Sequence, residues 1–343
     1  MQHRITEKKP LLNGSGSLNE CGYATGLILD YNRKDIKARQ MRIKEWDYYL
    51  ISNSRFALAL TIDDNSYMGL DSVSFLDFEK AWEHTSSPMK FMTKGRKNLP
   101  PTSDKGDIVS SGKGYRIEFL NDGKSRKLSV RMDDFMNKIP LKAEIVLYEA
   151  PQESMVIATP FKDDTLAFYY NQKINCMKAK GYIDFNNVKY EFDPSDSMAV
   201  LDWGRGVWTY KNSWYWGSGS GYVNGIPFGF NIGYGFGDTS KASENMLFYN
   251  GKAHKLDKVD FMIPHTGDRY DFMSPWKFTS NDNRFVMDFI PILDRASCTS
   301  LAIIKSDQHQ VFGRFTGTAV LDDGTVINIK DFIGFAEKVF NKW

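Results

Sequence analysis

Alternation dominates this chain. Apolar and polar residues change places with a period close to two over many short runs, each bounded by Gly, Pro, Asn or Asp. Such runs predict half-buried β-strands. They cover Arg42–Ile51 (RIKEWDYYLI), Arg55–Ile62, Tyr67–Leu76, Tyr115–Phe119, Arg126–Met132, Leu141–Tyr148, Ser154–Ala158, Thr165–Asn175 and Lys178–Phe185. They resume at Lys255–Met262, Trp276–Ser280, Arg284–Ile292, Ser300–Lys305 and Gln310–Phe315, and a hairpin over Gly317–Ile329 follows. The Asn121-Asp122-Gly123 turn is a strong hairpin signal, because these residues tolerate the positive φ of tight turns. Helical periodicity is scarce; Phe78–His84 and Asp331–Lys338 read as single helical turns. The expected class is all-β with minor helix, mostly antiparallel. Lys90–Gly114 is basic and contains Pro100-Pro101. It reads as an excursion and the best candidate for a mobile lid.

An internal repeat organises these strands. Gly181 opens GYIDFNNVKYEFDPSDSMAVLDWGRGVW, and Gly317 opens GTAVLDDGTVINIKDFIGFAEKVFNKW. Each has a short strand, an Asn/Asp turn, a second strand and an Asp after it (Asp193, Asp331). Each then has a small residue (Ala199, Gly334), an acid (Asp202, Glu337) and a terminal tryptophan (Trp208, Trp343). Self-similarity of this kind implies two related β-barrel or half-barrel units in tandem. The expected division is 1–175, with a polar N-terminal arm over 1–25 clipped down by Leu11, Leu12 and Leu18, and 176–343. Strands can be exchanged between the units.

Candidate chemistry concentrates in Ser197–Asn250. Four of the eight tryptophans (Trp203, Trp208, Trp214, Trp216) fall at its start, and glycines alternate with aromatics after them. Rings supply rigid apolar area, and glycine lets backbone come close to a ligand or a neighbouring strand. The expected pocket wall is Trp46, Trp203, Arg205, Trp208, Trp214, Trp216, Asn231, Tyr234 and Asn245, with Tyr215 and Tyr222 as further hydrogen-bond donors or core. Asp202 lies between Leu201 and Trp203, where burial would keep it protonated. A protonated carboxyl among rings could protonate an alkene, and the rings would steady the cation. The alternative is an Asp202–Arg205 pair that fastens a corner. Glu244 is a candidate base or water-positioning group, or else part of a turn before a strand. Period two puts Lys44, Trp46 and Tyr48 on one strand face and Glu45, Asp47 and Tyr49 on the other, and Lys44 or Glu45 suits a structural salt bridge.

Composition narrows the classes. Aromatics reach 14%, which favours strands and an apolar site. The net charge is +2, with both signs interspersed, unlike the footprint of a nucleic-acid binder. Cys21, Cys176 and Cys298 are far apart and odd in number, which argues against a disulfide framework or zinc cluster and for a reducing cytoplasm. The five histidines form no metal-binding pair, no GxSxG elbow occurs, and Gly233–Asp238 (GYGFGD) lacks the strand–helix setting of a dinucleotide fold. His265 and His309 read as surface loop residues. No metal or cofactor is expected. The N-terminus lacks the apolar stretch of a signal peptide, and no apolar run approaches the roughly 20 residues of a transmembrane helix. Contact with a membrane surface stays open.

The runs LLNGSGSLNECGYA, YNR (Tyr31–Arg33), RIKEWDYY, LDWGRGVW, GFNIGYGFGD, SENMLFYNGKAHKL and QVFGRFTGTAVLDDG resemble the uncharacterised bacterial family called domain of unknown function 2804. That family is distantly similar to the carotenoid 1,2-hydratase and tocopherol cyclase group, tandem lipocalin-like barrels. The resemblance implies a pocket between barrels in which a polyprenoid double bond is protonated and water or a hydroxyl adds. Asp202 lies where that group carries an acidic and aromatic motif. The histidine that accompanies the acid there is absent here; Leu201 and Trp203 flank Asp202. Two functions follow as expectations. One is a cofactor-independent hydratase, cyclase or isomerase with Asp202 and Glu244 as catalytic groups. The other is a non-catalytic carrier of a hydrophobic, lipid- or isoprenoid-like molecule.

Overall fold

The computed structural model describes residues 2–301 and 304–342. Trp343, the last residue of the expected repeat, lies outside the described residues. Two large antiparallel sheets, curled as lipocalin-like half-barrels in tandem, hold most of the chain. The first runs in hydrogen-bonded order Trp82–Ser86, Met68–Asp77, Phe56–Asp64, Ile43–Ser52, Met198–Val207, Asp164–Phe185, Ile139–Tyr148, Arg126–Met136, Tyr115–Asn121 and Ile108–Gly112. The second runs Lys252–Lys255, Met246–Tyr249, Ile226–Tyr234, Lys211–Val223, Val326–Lys342, Ile304–Val320, Phe285–Leu301, Trp276–Ser280 and Val259–Met262. The chain passes between sheets at 208–210. A division at 175/176 falls inside the strand Asp164–Phe185.

Alternation decides what each half-barrel encloses. In Met198–Val207, the side chains of Ala199, Leu201, Trp203 and Val207 enter the first core, with Phe168, Tyr170, Leu58 and Ile117. In the second, Phe228, Phe230 and Ile232 meet Phe278, Phe289, Phe315 and Phe332. Gly217, Gly219 and Gly221 face this same core, where the rings of Phe230 and Phe332 and the side chain of Ile232 take the space their side chains would fill. That packing explains much of the glycine–aromatic run. The outer faces of the two sheets then meet along a seam. Leu50, Val200 and Phe78 from the first sheet pack with Phe312, Leu293 and Phe335 from the second, and a second cluster joins Tyr169, Cys176 and Met198 to Phe236, Met246 and Phe248.

The repeat is visible in backbone geometry. Gly181 has φ +152 and Gly317 has φ +157, and a Cβ would collide with the carbonyl oxygen of Glu144 or of Val286 on the neighbouring strand. Each glycine lies where a long strand bends before the hairpin that precedes Met198–Val207 or Val326–Lys342. Three expectations are corrected. Phe78–His84 is a turn entering the strand Trp82–Ser86, and Asp331–Lys338 lies within Val326–Lys342. Strand pairing, on one side for Trp82–Ser86 and on both for Val326–Lys342, overrides their weak helical pattern. His309, expected in a loop, is inside Ile304–Val320, paired to Asp294 at 2.6 Å.

The Lys90–Gly114 excursion is fastened along its length rather than free. Thr93 donates to Asp64 (2.7 Å), Lys97 pairs with Asp71 (2.6 Å), Arg205 donates to the Pro100 carbonyl (2.7 Å), and Arg126 donates to the Ser103 carbonyl (2.8 Å). The N-terminal arm is pinned by buried Leu11 and Leu12, with Leu18 packed beside them, and reaches the second half-barrel through Gln2, which donates to the Leu256 carbonyl (2.9 Å).

If the two bends are obligatory, Gly181→Ala and Gly317→Ala should each cost about 1–3 kcal/mol in chemical denaturation. Gly26→Ala, with open space around its Cβ, should stay within about 0.5 kcal/mol of wild type.

Candidate functional site

The seam contains a polar chain set among rings. Because Val200 and Met198 face the seam, Asp202 on the same strand faces it too. Across the pairing, Asp202 lies beside Tyr48 on one side and Lys173 on the other. Lys173 Nζ is 2.7 Å from Asp202 Oδ2, and Asn171 donates to Asp202 Oδ1 at 2.6 Å. Lys173 also lies 3.7 Å from the ring centroid of Trp216, which belongs to the other sheet. A buried ammonium thus has a carboxylate on one side and an aromatic face on the other.

Trp216 extends the chain into the second half-barrel. Its indole N–H donates to Asn231 Oδ1 (2.7 Å), and Asn231 donates to the carbonyl of Glu244 (2.9 Å) and to its carboxyl Oε2 (3.2 Å). The second repeat supplies a matching row. Glu337 lies between Trp216 and Gln310 in register, as Asp202 lies between Tyr48 and Lys173. Trp214 donates its indole N–H to Glu337 Oε1 (2.9 Å), and Gln310 donates to Oε2 (3.0 Å). The walls are aromatic: Trp46 stacks on Tyr169 (6.0 Å), Trp208 meets Trp46 (5.4 Å) and Trp214 (5.8 Å) edge-on, and Phe236 packs against Trp208 (4.8 Å).

Burial sets the protonation of this chain. It pushes the Glu337 carboxyl from 4.5 up to about 7, against the Trp214 hydrogen bond and the charges of Lys173 and Arg295; the Asp202 charge adds to the rise. Burial likewise raises Glu244, opposed first by Lys173 and then by the Asn231 hydrogen bond. It pushes the Tyr48 phenol to about 12. Asn171 Oδ1 and Trp208 Nε1 are buried in or beside the seam without a hydrogen-bond partner among the described residues, an arrangement that costs free energy. The seam is otherwise tightly packed: the void between Leu50, Val200, Ser218 and Phe312 measures about 10 Å³. A larger cleft of about 550 Å³ opens beside it, lined by Tyr234, Gly235, Ser243, Asn245 and Val259, and by Gly233. Gly233 is the thin wall between cleft and seam, since a Cβ there would lie 2.7 Å from Glu244 Oε1.

Of the residues singled out in the sequence, Asp202, Glu244, Trp46, Trp208, Trp214, Trp216 and Asn231 come together at the seam. Tyr234 and Asn245 line the adjoining cleft; Asn245 is a strut that accepts the Gly233 N–H (2.6 Å) and donates to the Asp257 carbonyl (2.7 Å). Trp203 and Arg205 do not belong. One residue and three residues beyond Asp202, they point into the first half-barrel, where Trp203 packs edge-on to Tyr170 (5.7 Å). Arg205 pairs with Asp47 (3.0 Å), so the expected Asp202–Arg205 pair is replaced by Asp202–Lys173 and Asp47–Arg205. Glu45 makes the structural ion pair, with Arg33. Sequence reasoning missed Lys173, and it named Glu337 only as the repeat's counterpart of Asp202. The signal was present: Tyr169, Asn171 and Lys173 share one face of a strand whose other face carries Phe168, Tyr170 and Ile174.

Fold and site together define a tandem half-barrel protein with a buried acid–base seam. The chain belongs to the family described as a domain of unknown function (DUF2804), whose profile matches residues 2–343. No functionally curated protein gives a significant match. Among solved structures, a Nitrosomonas europaea protein provisionally assigned as AttH aligns with a TM-score of 0.60 and 11% identity, covering 96% of this chain and 98% of its own. It shares the fold. Kievitone hydratase from Nectria haematococca (TM-score 0.46, 10% identity, 99% and 98% covered) and CghA with Sch210972 (0.44, 10%, 97% and 97%) align more loosely. No described helix is long and apolar enough to cross a membrane.

Lys173→Met would leave Asp202 buried without its counter-charge and should cost about 3–5 kcal/mol; adding Asp202→Asn should recover a large part. Glu337 also gives stability a pH dependence. Its folded pKa is above the unfolded value, so the folded state holds the extra proton between about 4.5 and 7. Stability from this group is full below that window and is lost as pH rises through it. Glu337→Gln should remove that decline, changing the stability difference between pH 5 and pH 7 by on the order of 1–3 kcal/mol, measured as denaturant midpoints across pH.

Proposed function

We propose that the protein binds a hydrophobic, lipid- or isoprenoid-like small molecule against the tryptophan wall of the seam and carries out cofactor-independent acid–base chemistry at a double bond. The observation that carries this reading is one buried ammonium serving three buried carboxyl groups, Asp202, Glu244 and Glu337, inside an aromatic wall. Packing alone does not call for ionisable groups here, since apolar side chains of similar volume would hold such an interface at least as well.

Glu337 is the candidate proton donor, because burial pushes its carboxyl up to about 7, where a large share keeps its proton near neutral pH. Asp202, 2.7 Å from Lys173 Nζ and hydrogen-bonded by the Asn171 amide, is the candidate acceptor. In the step proposed, the Glu337 proton and the alkene π pair form a new C–H bond. The adjacent carbon becomes a cation faced by Trp214 and Trp216. Water adds to that carbon, and its proton passes to Asp202 or Glu244; loss of a neighbouring proton instead would give an isomer. Entry requires the rings to part beside Gly233, where the cleft approaches Glu244.

The test is incubation with a short polyprenol, geranylgeraniol, in deuterated water, followed by mass spectrometry and tryptophan fluorescence. Deuterium on carbon, lowered about 100-fold or more by Glu337→Gln, supports the enzyme. Fluorescence change without deuterium incorporation supports a carrier. Neither response would count against the reading for this class of ligand.

A further inference from the structure

An edge of the first half-barrel presents apolar side chains that the fold does not use. The short strand Met89–Phe91 pairs with Met68–Leu70 and alternates. Lys90 turns toward the body, where Nζ donates to Ser110 Oγ at 3.0 Å and lies 3.5 Å from Asp71. Met89 and Phe91 point the other way, 56% and 73% exposed, and Met92 beside them is 43% exposed. Among the described residues, no other large apolar side chain is as exposed as Phe91. Contiguous exposure of this kind marks a contact surface.

The tip is held, not loose. Met92 and Lys94 have φ +55 and +51, conformations that persist only where surroundings impose them. The Met92 N–H donates to the Tyr67 carbonyl (2.7 Å), Lys94 N–H to Ser66 (2.9 Å), and Arg96 N–H to Thr93 (2.9 Å). Basic side chains surround the tip. Lys94 and Arg96 are exposed on it. The segment 32–42 runs alongside: the Arg33 guanidinium packs against Gly95, and Gln40 donates to the Lys94 carbonyl (3.3 Å). It adds exposed Lys34 and Arg39. Of the nearby acids, Glu45, Asp64 and Asp71 are buried beneath, and Asp35 on the flanking segment is half-buried.

We infer that this tip docks the protein on an anionic lipid surface. Met89, Phe91 and Met92 enter the boundary between headgroups and acyl chains, and Lys34, Arg39, Lys94 and Arg96 lie against the headgroups. A protein partner would be served by the apolar patch alone; the basic rim matches anionic lipid. The inference stands apart from the seam's chemistry, yet it orients the seam. Tyr67, whose carbonyl holds Met92, covers Lys44 Nζ at 4.4 Å, and Lys44 is two residues from Trp46 on the same strand face. The tryptophan end of the seam would thus lie near the bilayer.

Flotation with phosphatidylcholine vesicles containing about 30% phosphatidylserine, against phosphatidylcholine alone, tests it. The wild-type chain should float with the anionic vesicles and be released by about 0.5 M salt. Met89→Ser/Phe91→Ser/Met92→Ser and, separately, Lys94→Glu/Arg96→Glu should each reduce the bound fraction about tenfold, with circular dichroism spectra unchanged. Failure of the wild type to float, equal binding to neutral vesicles, or undiminished binding of both folded variants would overturn the proposal. A wild-type dimer in sedimentation that the triple serine variant dissolves would overturn it too, making the patch a contact between copies.

Discussion

Lys173 is the group on which the arrangement of the two half-barrels depends. Its ammonium has left water for a seam between sheets, at a cost of several kcal/mol that only close partners can offset. One partner, Asp202 at 2.7 Å, comes from its own sheet; the other, the ring of Trp216 at 3.7 Å, comes from the opposite one. Separating the sheets, or sliding one past the other, would leave the cation without its ring and the carboxylate half exposed. Apolar packing of Leu50, Val200, Phe312 and Phe335 supplies the bulk of the attraction, but it is tolerant of small slips. The Lys173–Trp216 contact and the hydrogen bonds of Asn175 to Ser218 (2.9 Å) and Ser220 (3.1 Å) are specific contacts across the seam.

That single cation also distinguishes the two repeats. In the two repeats the rows Tyr48–Asp202–Lys173 and Trp216–Glu337–Gln310 occupy matching places. They differ where it matters electrostatically. The first repeat gives its acid an ammonium at direct contact; the second gives its acid a neutral amide and an indole. Two carboxyl groups at matching places therefore face different environments, and burial drives Glu337 toward its neutral form. At one position, lysine in the first row stands where glutamine stands in the second, so the two acids have different neighbours.

Much of this was legible in the chain. Period-two alternation predicted the strands, and the Gly181 and Gly317 repeat predicted two related units, because both features follow from local geometry. The Trp46, Trp208, Trp214 and Trp216 wall and the acids Asp202 and Glu244 were readable as polar groups set into apolar runs. Partners were not. Asp202 and Arg205 look paired in sequence, but three residues along a strand is an odd step, which places them on opposite faces. Lys173 comes from a strand 29 positions earlier by register pairing, which no local pattern reveals. Glu337 was visible only as an echo of Asp202. Its environment depends on the neighbouring strand of its own sheet, which sets the Trp214 indole against its carboxyl.

The central claim is that the second repeat's acid carries a proton near neutrality while the first repeat's acid is paired. Carboxyl ¹³C NMR of the protein labelled at glutamate side chains, with Glu337→Gln used to assign the resonance, measures this directly. The account predicts that Glu337 titrates near 7. A midpoint near the ordinary value of 4.5 would contradict it and leave the seam as structural glue alone.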